Sequence, residues 1–517
     1  MTSRRLSLAA IWHPLAFAAW PVVNLYRANI GETPPREALA ATLLCMAVAG
    51  IVLNIFMLIV RDVRRCALMT SVVILAVMLW GAGRDAAGDP VWLFPVWVGV
   101  ALVLVVLLAL AGGIARELTM VAAGMATVLV LMALVPVVQA KLPDFRAARR
   151  PAPANEDIDQ AVGDWSAPGP PRDILYLVFD RYGAQASMED RWSMDLDPFF
   201  DDLASRGFVI APDSAANHLR TAQSLASTFN LRYHRGLAEQ YGPDSANMLP
   251  IYELLENHLV GRMLKGRGYE YIHIGAWWDP TQSNRNADQN WSYERWKDFT
   301  LELYRSTILS HFEHRLTGRP RSEELRHGPY NGALQQFRDL RRAADRRGPT
   351  FTFAHILLPH EPFVFDRHGN YITLDEDIER GRDLNYREQT LFTNELITRL
   401  LDDVLDVPAE QQPIIVLAAD EGPHPVRFKA DEDDFDWTAA TDEELREKMA
   451  VLNAYYLPDP PRDPGLYDTI SPVNTWRVLF NTYFGADLPL LEDRNYVFRD
   501  EDHVYDFTDV TDRLRGQ

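Results

Sequence analysis

Thr221 is the residue around which chemistry can be built. It lies in the run Asn217-His218-Leu219-Arg220-Thr221-Ala222-Gln223-Ser224-Leu225-Ala226-Ser227-Thr228-Phe229-Asn230. After it, Ala222, Leu225, Ala226 and Phe229 fall at the i, i+3, i+4, i+7 spacing of a buried helix face. Thr221 is therefore expected at or just before a helix N-terminus. Free N–H groups and the positive end of the dipole there favour an anion or alkoxide. A plainer role is also open, since threonine is a common N-cap.

Two apolar runs end in acid. One is Asp173-Ile-Leu-Tyr-Leu-Val-Phe-Asp180, the other Pro413-Ile-Ile-Val-Leu-Ala-Ala-Asp420-Glu421-Gly422. A carboxylate just past a buried strand projects from the sheet edge, where hard oxygen ligands can meet a divalent ion. Taken singly, each also suits a turn or a helix N-cap. Phe353-Ala-His355-Ile-Leu-Leu-Pro-His360-Glu-Pro-Phe-Val-Phe365 puts His355 within a strand, the ordinary place for a core histidine. His360 falls in the loop after it, where catalysis or phosphate binding competes with a surface role. Gly275-Ala-Trp277-Trp278-Asp279-Pro280 follows another strand. Its tryptophans could pack a sugar or a lipid, or cover the core.

Those residues need a sheet to hold them. Ile174–Phe179, Tyr271–Ala276, Phe351–Leu358, Ile414–Ala419 and Leu452–Leu457 read as buried strands, apolar throughout as in a sheet covered on both faces. Between them lie amphipathic helices such as Tyr386–Leu405. Another starts at Ser471-Pro472, an N-cap and first-turn pair, and stops near Gly485. The alternation predicts an α/β domain with a mainly parallel sheet over residues 172–517. In such sheets ligands gather at the carboxyl ends of the strands. Residues 141–171 are rich in proline, including Pro143, Pro151, Pro153, Pro168, Pro170 and Pro171, and read as a linker.

Residues 1–140 carry five apolar runs, at Leu6–Tyr26, Ala38–Val60, Cys66–Ala82, Val91–Ile114 and Leu118–Gln139. Most approach the ~20 residues that cross a bilayer core. A five-helix transmembrane bundle is expected, and a cleavable signal peptide is not. With the N-terminus inside, Arg4, Arg5, Arg61, Arg64, Arg65 and Arg116 are cytoplasmic, against Arg27, Arg36 and Arg84 outside. Five crossings then place the α/β domain outside the cytoplasm, in a multi-pass protein of the plasma or inner membrane. The spans hold almost no charge, which disfavours a transporter. Residues 1–150 carry 13 Lys/Arg against 7 Asp/Glu, and the remainder 38 against 64. So acidic a domain repels nucleic acid. Cys45 and Cys66, the sole cysteines, both belong to the apolar part and leave the rest no disulfide or thiolate cluster.

The order Asp180, Thr221, His360, Asp420-Glu421-Gly422 resembles the alkaline phosphatase/sulfatase superfamily. Within it the chain is most similar to the membrane-anchored branch of lipoteichoic acid synthases and phosphoethanolamine transferases. Thr221-Ala-Gln-Ser-Leu is similar to the Thr-Ala-x-Ser-Leu run around the phosphoethanolamine transferase nucleophile. The resemblance implies one divalent metal held by Asp180, Thr221, Asp420 and Glu421, with Thr221 as nucleophile and His360 at the transferred phosphate. Arg181, Asn217, His355, Trp278 and His424 are the expected substrate-binding residues. Glu421 stands where the family has the histidine of Asp-His-Gly. A glutamate favours manganese or magnesium over zinc, or marks a site that has lost its metal. Sulfatases mature a Cys or Ser, followed by Pro and Arg, into an aldehyde nucleophile; this run has none, so sulfate ester hydrolysis is disfavoured.

The function implied is transfer of a phosphoglycerol- or phosphoethanolamine-type group from a membrane phospholipid to an envelope glycan or lipid, through a phosphothreonine. A phosphodiesterase or phosphatase using water is the first alternative. A non-catalytic membrane scaffold without metal is the second.

Overall fold

The computed structural model of the chain describes residues 2–149, 165, 167–313, 321–346, 348–432 and 434–516. Two compact units are present: Met1–Arg149 with Trp296–Arg321, and Arg150–Arg295 with Ser322–Gln517. The expected linker is divided by this boundary. Pro143 lies inside a helix, Pro168, Pro170 and Pro171 lie in irregular chain, and Pro151 and Pro153 fall outside the described residues.

The first unit is helical. It contains α1 (Thr2–Ala28), α2 (Pro35–Val60), α3 (Val63–Met78), α4 (Trp80–Ala87), α5 (Leu93–Leu110) and α6 (Ala115–Ala147). Among the described residues, α2, α5 and α6 are long and apolar enough to cross a membrane, and the bent pair α3–α4 makes a fourth if it is one span. The expected count of five is thus not reached. α1 carries His13, Pro14 and Pro21, and the third apolar run breaks at Leu79 with a 51° bend. Apolar side chains such as Leu58, Leu102, Leu107 and Leu110 point outward from these helices. In water that would be costly, but in a bilayer it is favourable. The helix Asp298–Ser306 joins this unit, burying Phe299 and Leu303 among Tyr26, Ala38 and Met78.

The second unit is built on one seven-stranded sheet: β1 (Ile174–Phe179), β2 (Val209–Ile210), β3 (Glu270–Gly275), β4 (Gln289–Ser292), β5 (Thr350–Ile356), β6 (Ile414–Ala418) and β7 (Asn453–Tyr456). Their order is β2-β7-β6-β1-β5-β3-β4. All neighbours pair in parallel except β7, which runs antiparallel to β6 and β2. All five strands read from the sequence are present. β2 and β4 are too short, and β4 too polar, to carry a periodic signal. In the central trio, Val178 lies opposite His355 on one side and Ala418 on the other.

Side chains alternate across the sheet, so each strand feeds two cores. Ile174, Tyr176, Val178, Phe351, Phe353, Ile414, Val416 and Ala418 face one of them. That core is closed by α7 (Thr221–Phe229) and, further along the chain, the helix Pro472–Phe484. Leu175, Leu177, Phe179, Ala354, Ile356, Ile415 and Leu417 face the other, closed by α8 (Arg321–Ala344) and α9 (Arg382–Leu405). The remaining helices used below are α10 (Asp442–Met449) and α11 (Pro472–Phe484). Ser471 precedes α11 as expected but does not cap it; its hydroxyl is taken by Asp493.

Phe229 is fully buried, with ring centroids 5.1 Å from Tyr176, 4.8 Å from Phe353 and 6.1 Å from Trp476. Phe229→Ala is expected to cost about 3–5 kcal/mol, the usual range for an aromatic removed from a packed core. Urea unfolding of the purified protein measures it, and a loss below about 1 kcal/mol would contradict the packing described.

Candidate active site

Asp180, His355 and Asp420 continue the alternation of β1, β5 and β6 onto the face that α7 covers. Strand register therefore brings three chain-distant residues to one point. All are buried, at 3%, 0% and 1% exposure. One ligand atom from each lies within 4.8 Å of the other two. His355 Nε2 is 3.7 Å from Asp180 Oδ2 and 4.0 Å from Asp420 Oδ2. Its Nδ1 is engaged by Thr281 Oγ1 at 2.8 Å, which fixes the ring with Nε2 toward the aspartates. Gln336 of α8 bonds the carbonyls of Gly275 and His355 at 3.1 and 2.7 Å, tying the ends of β3 and β5 together.

Thr221 is the first residue of α7. Arg220 holds the capping position in extended backbone and makes no side-chain cap. The cap role is thus not the one Thr221 plays. The Thr221 N–H donates to Glu421 Oε2 at 3.1 Å, so a carboxylate from 200 residues away closes the helix N-terminus. The Thr221 hydroxyl lies close enough to Asp420 to offset part of the rise that burial imposes on its pKa, but neither Asp420 oxygen has a well-formed hydrogen bond.

Glu421 is drawn into a different cluster. Its Oε1 is 2.7 Å from Lys448 Nζ, 3.5 Å from Arg181 Nε and 3.7 Å from His424 Nε2. Gly422 allows this. A Cβ there would collide with the Glu447 and Lys448 carbonyl oxygens, and Gly422 N donates to Lys448 O at 2.7 Å. Only glycine lets the exit of β6 approach the end of α10 so closely. Arg181 also pairs with Glu361, which Arg382 Nε and Lys429 Nζ approach to 3.6 and 3.9 Å. Four cations thus surround two carboxylates, and Arg382 Nε and Nη1 are buried without a hydrogen-bond acceptor. An excess of positive charge with spare donors is what an anionic group requires.

The loop carrying His360 is positioned by Gln389 of α9. Gln389 accepts from Val364 N and Phe365 N and donates to the Pro359 and His360 carbonyls. Tyr386, one turn earlier, donates to Arg181 O at 2.7 Å. His360 Nδ1 bonds the Glu361 carbonyl, an acceptor only, so Nδ1 carries the proton. Burial, then Arg181 and Lys429, push the His360 pKa well below the histidine range, so the ring is neutral and presents Nε2 as an acceptor. Burial and Lys448 do the same to His424. Trp277 and Trp278 are half-buried, 5.8 Å from the rings of His360 and His355 respectively.

The aspartates carry the electrostatic tension of the site. Burial, then Asp420 and Glu421, push the Asp180 carboxyl well above the usual range; Arg181 and Lys448 pull it back. Burial and Glu421 push Asp420 up to about 7. Burial holds His355 down to about 3. Asp180 Oδ1, both Asp420 oxygens and His355 Nε2 are buried with no hydrogen-bond partner. Orphaned acceptors of this kind are rare in folded proteins, and two carboxylates with an imidazole nitrogen are a donor set for a divalent cation. The residues present fit one.

The structure brings Asp180, Thr221, Asp420, Glu421, Arg181, His355, His360 and His424 to one region. Two of them have other parts there. His355, expected at the substrate, faces the aspartates because residue parity in β5 points it there. Glu421, expected at the metal, has both oxygens occupied by donors of the chain. Asn217 does not belong to the site. It is fully buried, donating to Ser471 Oγ and Arg494 O at 2.9 Å and accepting from Val473 N at 2.8 Å, and so locks α7 to α11. Lys448, Arg382, Lys429 and Glu361 were not foreseen. Lys448 had a signal: it lies three residues after Leu445 and beside Met449, a charge on the buried stripe of an amphipathic helix.

The profile of the sulfatase family matches residues 172–451. The chain belongs to the sulfatase family. The matched span holds every site residue named above, and it bears out the superfamily resemblance read from the sequence. Among solved structures, the sulfatase-family chain is similar to the C-terminal periplasmic domain of EptC from Escherichia coli, in complex with zinc. The identity is 12%, over 67% of this chain and 97% of that one, with a TM-score of 0.42. A protein of the alkaline phosphatase superfamily from Vibrio parahaemolyticus is similar at 13% identity over 69% and 81%, with a TM-score of 0.40. No curated protein matches the sequence.

Lys448 and Glu421 are 2% and 5% exposed, so removing one partner leaves a buried charge. Lys448→Met is expected to destabilise by about 3–5 kcal/mol, and the double variant with Glu421→Gln to recover most of the loss. Denaturant titration of the three proteins checks this. Additive losses would show that the pair is not coupled.

Proposed function

We propose that this sulfatase-family protein transfers a phospho-substituent from a membrane phospholipid to an envelope glycan or lipid, with Thr221 as the covalent carrier. The observation that supports it best is a threonine at a helix N-terminus with its hydroxyl beside Asp420, in a pair of buried aspartates that keep unpartnered oxygens. In this reading Asp180, Asp420 and His355 would hold a divalent cation, manganese or zinc by the two carboxylates and one imidazole, which would supply positive charge for the Thr221 hydroxyl and the phosphoryl group. Magnesium suits the imidazole less well.

In the first step Thr221 Oγ bonds to phosphorus and the bond to the glycerol oxygen of the donor breaks. The threonine proton passes to that oxygen, and the diacylglycerol stays in the bilayer. In the second step an acceptor hydroxyl bonds to phosphorus, the bond to Thr221 breaks and the acceptor proton returns to Thr221. Arg181, Lys448, Arg382 and Lys429 bind the phosphoryl oxygens electrostatically. Glu421 holds the α7 N-terminus and the lysine together, so its substitution for histidine serves positioning. His360, with Nε2 unprotonated, takes the proton from the acceptor hydroxyl and hands it on to Thr221 Oγ as the bond from that oxygen to phosphorus breaks. Trp277 and Trp278 form the apolar wall against the donor. In this reading the domain lies outside the cytoplasm, on the side where an envelope acceptor would be met.

Full-length protein in liposomes holding head-group-labelled phosphatidylethanolamine or phosphatidylglycerol tests this. Label should appear on Thr221 by mass spectrometry and chase onto an added lipid or glycan acceptor. Thr221→Ala should lower turnover by roughly 10³-fold or more, as for loss of a nucleophile. Chelation with EDTA should abolish labelling, and manganese or zinc should restore it. Free head group without labelled Thr221 would replace the transferase by a hydrolase.

A further inference from the structure

The chain leaves the sulfatase-family unit at Arg295 and returns at Ser322, and the stretch between belongs to the helical unit. Within that unit its inner face is tightly built. Phe299 and Leu303 pack beside Tyr26 at the end of α1, Ala38 at the start of α2 and Met78 at the end of α3. A Cβ on Gly81 of α4 would lie 2.8 Å from Ser306 Cα, so the two backbones touch. His311 stacks on Phe94 at 3.9 Å and 4°, and Trp80 meets His311 edge-on at 5.3 Å. The stretch therefore sits at one end of the helical unit, where α1 and α3 end and α2 and α5 begin.

Its outer face is open and carries large apolar side chains alongside the exposed Asp298 and Glu302. Trp296, Leu309 and Phe312 are 57%, 56% and 43% exposed. Phe312 meets Phe94 edge-on at 5.5 Å. Just before α5, Val91 and Trp92 are 95% and 61% exposed. The exposed side chains thus continue the entry of an apolar, membrane-length helix. Tryptophan and phenylalanine above a short amphipathic helix are the composition of an element lying in the head-group boundary.

We propose that residues 296–313 lie in the lipid head-group layer, with Trp296, Leu309 and Phe312 turned into the bilayer that α5 enters. The partner is the lipid surface itself. A chain that crosses or borders the membrane at α6 thereby meets it a second time from within the sulfatase-family sequence. The inference rests on the membrane reading of α2, α5 and α6, and not on the catalytic one.

Spin labelling tests it. Cys45 and Cys66 are replaced by alanine, and Leu309→Cys, Phe312→Cys, Leu107→Cys and Ile378→Cys are labelled singly in full-length protein in liposomes. Collision rates with oxygen, which concentrates in hydrocarbon, are compared with those of a water-soluble nickel chelate. Leu107, exposed in the last turn of α5, is the bilayer reference, and Ile378, 71% exposed in the other unit, is the water reference. The expected result is an oxygen-to-nickel ratio at Leu309 and Phe312 several-fold above Ile378 and closer to Leu107. Nickel access equal to that at Ile378, with Leu107 in lipid, would overturn the inference and leave the membrane reading intact. Protection from both reagents would also overturn it, pointing to a second copy or another protein. Leu107 in water would overturn both.

Discussion

Two buried carboxylates that nothing in the chain neutralises are the constraint on which the site depends. Asp180 and Asp420 end neighbouring strands with His355 close to both, and Asp180 Oδ1, both Asp420 oxygens and His355 Nε2 have no hydrogen-bond partner. Ionised together in a buried place, such groups repel strongly; protonated, they would waste the sheet position that orients them. A cation resolves the conflict. The surrounding charges are arranged around the same point without filling it. Lys448 and Arg181 are spent on Glu421 and Glu361, so they moderate the aspartates from a distance rather than pairing with them.

Strand parity delivers the arrangement. Because side chains alternate, the same rows that bury Tyr176, Phe353 and Val416 must present Asp180, His355 and Asp420 on the face where α7 packs. The α7 helix is held by Phe229 below and by Asn217 at its entry, so Thr221 has little freedom at the rim. Gly422 then allows the end of α10 to close in from the side. The core and the chemistry share their residues, and a slip of one register position in β5 would move His355 to the opposite face.

Much of this was legible in the sequence because it rests on local pattern. Continuous apolar runs marked β1, β3, β5, β6 and β7, and Pro472 with Gly485 bracketed α11. Thr221, Asp180 and Asp420 were found because each directly follows or precedes such an element. What was missed depends on long-range pairing. Glu421 looked like a ligand by position alone; its partner Lys448 is on a helix whose packing no local rule predicts. Asn217 is next to the chemistry in sequence, yet its amide is consumed by Ser471 and Arg494, more than 250 residues onward. His355 was assigned to substrate because its strand neighbours were not yet known. The expected helical count is not confirmed for a related reason: a 51° bend at Leu79 divides an apolar run that composition alone joins.

The central claim is that a divalent cation belongs between Asp180, Asp420 and His355. Anomalous diffraction from manganese-loaded protein at the metal edge tests it most directly. The account predicts one peak bounded by the two aspartates and His355 Nε2, close to the Thr221 hydroxyl, with Lys448 still paired to Glu421. A protein that takes up no ion, or an ion bound by Glu421 with Lys448 displaced and His355 remote, would contradict it.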